Sequence, residues 1–208
     1  MAGVFIFGGT FDPIHLGHLR SAWEVSQQLS LESMHFIPSA SPVHRAQPVA
    51  TAAHRLAMVQ LAVESIPGWV ANDIELRRAT PSYTVDTLIS LRESLGYEVP
   101  FWFLMGSDAF EGLLSWHRWQ DMMKLTNLAI MVRAGTHPQC CEELQAMLDS
   151  NEHAACHYGQ ARLIEVTPLA IAATRIRADL ASKQLPHFLV SESVLEYIQN
   201  HKIYEDKG

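Results

Sequence analysis

The chain has 208 residues, nearly half of them hydrophobic and only 18% charged, a balance that permits a substantial core and excludes a disordered chain. The net charge of −7 repels nucleic acid, so no nucleic-acid partner is expected and any anionic ligand must be held by local donors. No apolar stretch approaches the ~20 residues that span a bilayer, the start lacks a basic signal region, and three cysteines without C-x-x-C spacing fit a reducing, cytoplasmic setting.

Val4-Phe5-Ile6-Phe7 is a short unbroken apolar run, as expected of a buried parallel strand, and Gly8 to Pro13 follows as a turn. From Leu16 to Leu29 the spacing of Leu16, Leu19, Trp23 and Leu29 predicts a helix. Met34 to Pro38 reads as a second strand, followed by a Pro-, Ser- and Ala-rich loop from Ser39 to Val49. Leu56, Val59, Val63 and Ile66 mark a second helix stopped by Pro67-Gly68. A weaker third strand is expected around Trp69 to Leu76. Ser82 is expected to cap a helix that runs to Leu95 and ends at Gly96. Phe101 to Met105, Leu128 to Val132 and Ala161 to Val166 read as further strands, and helices near Thr174–Ser182 and Ser191–Asn200 close the chain. This alternation predicts an α/β fold, a parallel sheet with helices on both faces, in a single domain over residues 1–208. Ligands of such sheets collect at the carboxyl ends of the strands, where Gly8-Gly9 and Gly106-Ser107-Asp108 both fall.

The segment Gly8-Gly9-Thr10-Phe11-Asp12-Pro13-Ile14-His15-Leu16-Gly17-His18 carries the chemistry. Glycines after a strand let backbone N–H groups approach a phosphate, and the following helix start adds unpaired donors and a favourable dipole. His15 and His18 are three apart, so both can face one point near the helix start, with Gly17 leaving room for a ligand. Neither the dinucleotide fingerprint G-x-G-x-x-G nor the Walker G-K-[ST] is present.

That run resembles the signature of the HxGH nucleotidyltransferases and, within them, bacterial nicotinate-nucleotide adenylyltransferases. Later segments match in order: Pro38 to Arg45, Ser82 to Leu88, Gly106-Ser107-Asp108 with Trp116 and Trp119, Ile171 to Arg177, and Leu195 to Tyr204. The resemblance implies a Rossmann-like domain that transfers AMP from ATP to nicotinate mononucleotide, with Mg2+ accompanying the ATP. It implies that His18 donates to the α-phosphate, that His15 contacts the phosphates beside it, and that Thr174 and Arg177 bind the β- and γ-phosphates. His18, His15 and Arg177 are thus the expected catalytic residues. Gly8, Gly9, Thr10, Phe11, Gly106, Asp108 and Ile171 complete the ATP site. On the acceptor side it implies Tyr83 and Thr84 at a helix start for the carboxylate, Trp116 stacked on the pyridine ring, Arg133 near the substrate, and His44 and Arg45 on the acceptor phosphate.

Taken without that resemblance, Trp116 and Trp119 read as packing, Tyr83 and Thr84 as a helix cap, and Arg133 as a solvated ion pair. Two departures stand out. Ala172-Ala173 occupies the place of a family Ser-Ser, at about 1 kcal/mol for each missing neutral hydrogen bond. Arg45 replaces a lysine, keeping the charge with another geometry. Rival readings are a pantetheine-phosphate adenylyltransferase-like enzyme, a non-catalytic nucleotide-binding regulator, and a fragment of a class I aminoacyl-tRNA synthetase. Cys140, Cys141, His153, Cys156 and His157 fit no usual zinc spacing and read as a variable surface loop, so no protein metal site is expected.

Overall fold

Six apolar segments form one parallel sheet in the computed structural model, which describes residues 3–30, 33–40, 47–78, 80–149 and 157–205. They are β1 (Val4–Gly9), β2 (Ser33–Pro38), β3 (Trp69–Ala71), β4 (Phe101–Gly106), β5 (Asn127–Arg133) and β6 (Ala161–Val166). Their order across the sheet is β3-β2-β1-β4-β5-β6, and every pairing is parallel. Each crossover carries helix: α1 (Leu16–Leu29), α2 (Ala52–Val63), α3 (Thr84–Leu95), α4 (Ser107–Glu111), a 3-10 turn at Leu113–Ser115, α5 (Trp119–Met123) and α6 (Glu142–Asp149). After β6 come α7 (Ala173–Ala181) and α8 (Glu192–Asn200).

Strand side chains alternate between two cores, as the two-residue period requires. Phe5 and Phe7 of β1 and Trp102 and Leu104 of β4 face one side, where Val25, Met58, Ile176 and Ile198 of α1, α2, α7 and α8 cover them. Val4 and Ile6 of β1 and Phe101, Phe103 and Met105 of β4 face the other, covered by Leu88, Phe110, Met122 and Leu144 of α3 to α6. The sheet is therefore Rossmann-like and doubly wound, and its strand order reverses between β1 and β4. Gly8-Gly9 and Gly106 are the last residues of those two strands, which pair with each other only as far as Ile6 and Phe103.

Four expectations shift. Trp23 is 44% exposed and leans on Trp69, while Ala22, Val25 and Ser26 form the buried stripe of α1. The second helix starts earlier and ends at Val63, three residues short of Ile66, which closes a tight turn to the Val63 carbonyl. The third strand is only three residues long, because the Asn72 side chain accepts the Ile74 N–H and turns the chain out of the sheet. Ser82 is not the cap of α3. Tyr83 holds that position, and the Ser82 hydroxyl oxygen accepts the Ala40 N–H at 3.0 Å, tying the end of the β2 loop to the start of α3.

Candidate functional site

A cleft of about 850 Å³ opens over the carboxyl ends of β1 and β4. Its walls include the N-terminal ends of α1, α3, α4 and α7, represented by His15 and His18, Tyr83 and Thr84, Gly106 and Asp108, and Ala173 and Thr174. The positive ends of four helix dipoles thus converge on one space in a chain of net charge −7. The local field suits an anion that the molecule as a whole repels.

At α1 the histidine spacing has a structural cause. His15 is the N-cap and His18 stands three residues on, where its Nδ1 accepts the His15 N–H at 3.3 Å. A ring nitrogen that accepts carries no proton, so neutral His18 holds its proton on Nε2 as a donor. The two imidazoles stack with centroids 3.7 Å apart, and Phe11 and Phe7 meet His18 edge-on. Burial pushes the His15 imidazole down from 6.5 to about 4, against an opposing backbone hydrogen bond, so it is neutral at pH 7. A Cβ on Gly17 would lie 3.0 Å from the His15 ring and 3.6 Å from Ile171. Gly17 therefore makes room for His15, which is a different reason from the ligand approach that its spacing suggests. Phe11 adopts a left-handed backbone (φ 49), a costly conformation for an aromatic residue, and its ring lies 3.0 Å from where a Gly9 Cβ would be.

Asp12, 5% exposed, holds the cleft floor together. Its carboxylate accepts the Val49 and Ala50 N–H groups at 2.8 and 3.0 Å and the Tyr204 hydroxyl at 2.7 Å. Its carbonyl accepts from Arg177 Nη1 at 2.7 Å. The buried Arg55 guanidinium secures the neighbouring Thr10 carbonyl at 2.8 Å. Burial, then Asp12, pushes the Tyr204 phenol far above its ordinary range, so it remains a donor.

Across the cleft, Trp116 meets Phe103 edge-on at 6.1 Å, and Tyr83 lies against the His117 ring at 4.2 Å. Both pairs line the wall beside the start of α3. Gly106 admits the Asp108 carboxylate, whose Oδ1 lies 2.6 Å from where a Cβ would stand.

The cleft thus brings together Gly8, Gly9, Thr10, Phe11, His15, His18, Gly106, Asp108, Thr174, Arg177, Tyr83, Thr84 and Trp116. Ile171 is not among the lining residues and packs behind Gly17. Arg133 is not among them either; it ends β5, exposed, and its carbonyl accepts from Thr136. His44 and Arg45 lie outside the described residues, as do His153 and Cys156 of the Cys/His cluster. The sequence reading misses Arg55, Tyr204 and His117 as site-building residues, and treats Asp12 only as part of a turn. The Asp12–Tyr204 contact spans 192 positions, and no local pattern announces it.

The cytidylyltransferase-like family model matches residues 6–184. A protein of Aeromonas hydrophila named probable nicotinate-nucleotide adenylyltransferase is 42% identical over 205 residues, spanning 96% of this chain and 95% of its own. A protein of the same name from Pseudomonas aeruginosa strain PAO1 is 40% identical over 204 residues, spanning 96% and 95%. The nicotinic acid mononucleotide adenylyltransferase of Plasmodium falciparum, solved in complex with NaAD, shares the fold at a TM-score of 0.72, with 18% identity and 98% of each chain covered. With its full-length likeness to the bacterial relatives, the chain belongs to the nicotinate-nucleotide adenylyltransferase family of the cytidylyltransferase-like proteins.

Proposed function

We propose that this chain transfers AMP from ATP to nicotinate mononucleotide, giving nicotinate adenine dinucleotide and pyrophosphate, in the cytoplasmic synthesis of NAD. The observation that carries the reading is the meeting of four helix N-terminal ends in one cleft, with a histidine donor on one side and an aromatic wall on the other. Full-length likeness to relatives bearing that enzyme's name supports the choice of acceptor.

The reaction is an in-line displacement. An oxygen of the acceptor phosphate bonds to the α-phosphorus, the bond from that phosphorus to the bridging oxygen breaks, and pyrophosphate leaves. No protein nucleophile is required, so positioning and charge stabilisation do the work. His18 Nε2–H donates to the α-phosphate as charge builds there. His15, neutral and stacked behind it, holds the ring in place. Arg177 and Thr174 take the outer phosphates with the free N–H groups of α7. Tyr83 and Thr84 offer the α3 N-terminus to the nicotinate carboxylate, and Trp116 gives the pyridinium a flat face. His44 and Arg45 are read as taking the acceptor phosphate, and Arg133, outside the cleft, is read as lying near that substrate. Among the described residues no three His, Cys, Asp or Glu side chains come together as a metal cage. A magnesium ion would enter with the phosphate oxygens as part of the nucleotide substrate and help neutralise their charge.

Steady-state pyrophosphate release, with ATP and each of nicotinate mononucleotide, nicotinamide mononucleotide and phosphopantetheine, tests the assignment. The nicotinate compound is expected to have the highest kcat/KM. His18→Ala is expected to lower kcat about 100-fold or more with an unchanged fold. Saturable ATP binding without turnover on any acceptor would instead identify a regulator, and preference for phosphopantetheine a sister enzyme.

A further inference from the structure

The carboxylate of Asp12 is a junction more than a ligand. Oδ1 accepts from Ala50 and Tyr204, and Oδ2 accepts from Val49 while facing Arg177 Nη1 at 3.8 Å. The same Nη1 donates to the Asp12 carbonyl. One buried residue therefore joins the turn after β1, the entry to α2, the middle of α7 and the C-terminal segment.

Arg177 lines the cleft with its side chain 27% exposed. Nη1 is committed to Asp12, and Nε and Nη2 make no hydrogen bond among the described residues. A guanidinium is a rigid planar fork, so fixing one nitrogen sets the direction of the others. Asp12 thereby aims the rest of the fork.

The chain makes a deliberate turn to bring Tyr204 to this junction. Lys202 (φ 51) and Tyr204 (φ 69) both sit in the left-handed region, which side chains rarely adopt unless tertiary contacts hold them there. Between them, Ile203 N–H bonds back to the Ile198 carbonyl and its side chain enters the core. The Tyr204 ring is buried at 8% exposure, with its hydroxyl on Asp12 Oδ1.

We propose that Tyr204 is a positioning residue for the nucleotide site: its hydroxyl fixes the Asp12 carboxylate, Asp12 fixes Arg177, and Arg177 meets the outer phosphates of ATP. The proposal rests on the reading of Arg177 as a phosphate ligand. It makes ATP affinity depend on a hydroxyl near the end of the chain that touches no substrate.

Tyr204→Phe removes only that hydroxyl and keeps the buried ring. It is to be compared with Arg177→Ala and with the double variant, reading KM for ATP, KM for the acceptor, kcat and thermal midpoint. Tyr204→Phe is expected to raise the ATP KM roughly 5- to 10-fold and leave the acceptor KM within about 2-fold. Arg177→Ala is expected to raise it further, and adding Tyr204→Phe to that background is expected to change nothing more, because the effect travels through Arg177. If Arg177→Ala leaves the ATP KM unchanged, the phosphate-site reading fails and takes the proposal with it. If Arg177→Ala raises the ATP KM while Tyr204→Phe lowers only the thermal midpoint, Tyr204 is a core anchor and the proposal alone is overturned. Should Tyr204→Phe not fold, Asp12→Asn removes the charge facing Arg177, and an unaltered ATP KM there overturns the proposal as well.

Discussion

His15 shows how one side chain trades stability for preorganisation. It is 7% exposed, and burial, opposed by a backbone hydrogen bond, pushes its imidazole from 6.5 to about 4. Neutral His15 can stack on His18 without charge repulsion, but the unfolded chain takes up a proton that the folded one refuses. The unfolded state therefore binds more protons between pH 6.5 and 4, so stability rises with pH across that window. The stabilisation is whole above 6.5 and is lost by about 4, on the order of 3 kcal/mol for this one group. Burial pushes His35 down as well, so the comparison between variants carries the test. His15→Gln is expected to lose less thermal stability than the parent chain between pH 7 and 4, read from melting curves at steps of half a pH unit. Parallel slopes would show that His15 titrates like an exposed histidine. The pairing of His15 with His18 is legible in their three-residue spacing. The burial is not, because it comes from the stacked His18 ring, the bare Gly17 and Ile171 far along the chain.

Helix α7 begins on a residue that cannot cap it. Ala172 has the extended backbone of an N-cap (φ −124, ψ 130), and no side chain caps the helix. Its carbonyl already accepts from Arg175 at 3.0 Å and Ile176 at 3.2 Å, so only the side-chain acceptor is missing. Ala172→Ser is expected to stabilise the ligand-free protein by about 1 kcal/mol and raise the melting midpoint by roughly 2–4 °C. A midpoint that stays level or falls would remove Ala172 from the cap. The departure from Ser-Ser just before a helix is visible in the sequence, whereas Ala173 facing the cleft emerges only from the fold. Strands β1, β4 and β5 are legible as apolar runs and α1 from periodicity, because each is long enough for a pattern to repeat, while α3 is legible from the glycine that ends it. The five-residue helices α4 and α5 are not, since one buried side chain each, Phe110 and Met122, decides them through packing. Ser82 misleads for a related reason: a serine before a helix has the chemistry of a cap, but Ala40, 42 residues away, claims its oxygen.

The parallel sheet and the carboxyl-end location of the cleft follow from strand–helix alternation, whereas the reversal between β1 and β4 is a choice among whole arrangements that no local pattern records. That reversal divides the work. The residues read as gripping the phosphates of ATP hang from α1 and α7 over one core, and Tyr83, Thr84 and Trp116, read as gripping the acceptor, hang from α3 and the turn before α5 over the other. Two rigid halves that share a sheet, with no side-chain network between Arg177 and Trp116 among the described residues, should respond independently. Trp116→Ala is expected to raise the acceptor KM about 10-fold while the ATP KM stays within about 2-fold, since the lost ring contact belongs to one substrate. Combining it with Arg177→Ala is expected to multiply the two losses in kcat/KM, with a deviation under about 2-fold, corresponding to the ~0.3–0.5 kcal/mol seen between uncoupled sites. A double variant little worse than the weaker single one would mean that both side chains act through one shared element. The reversal point would then join the two halves of the cleft.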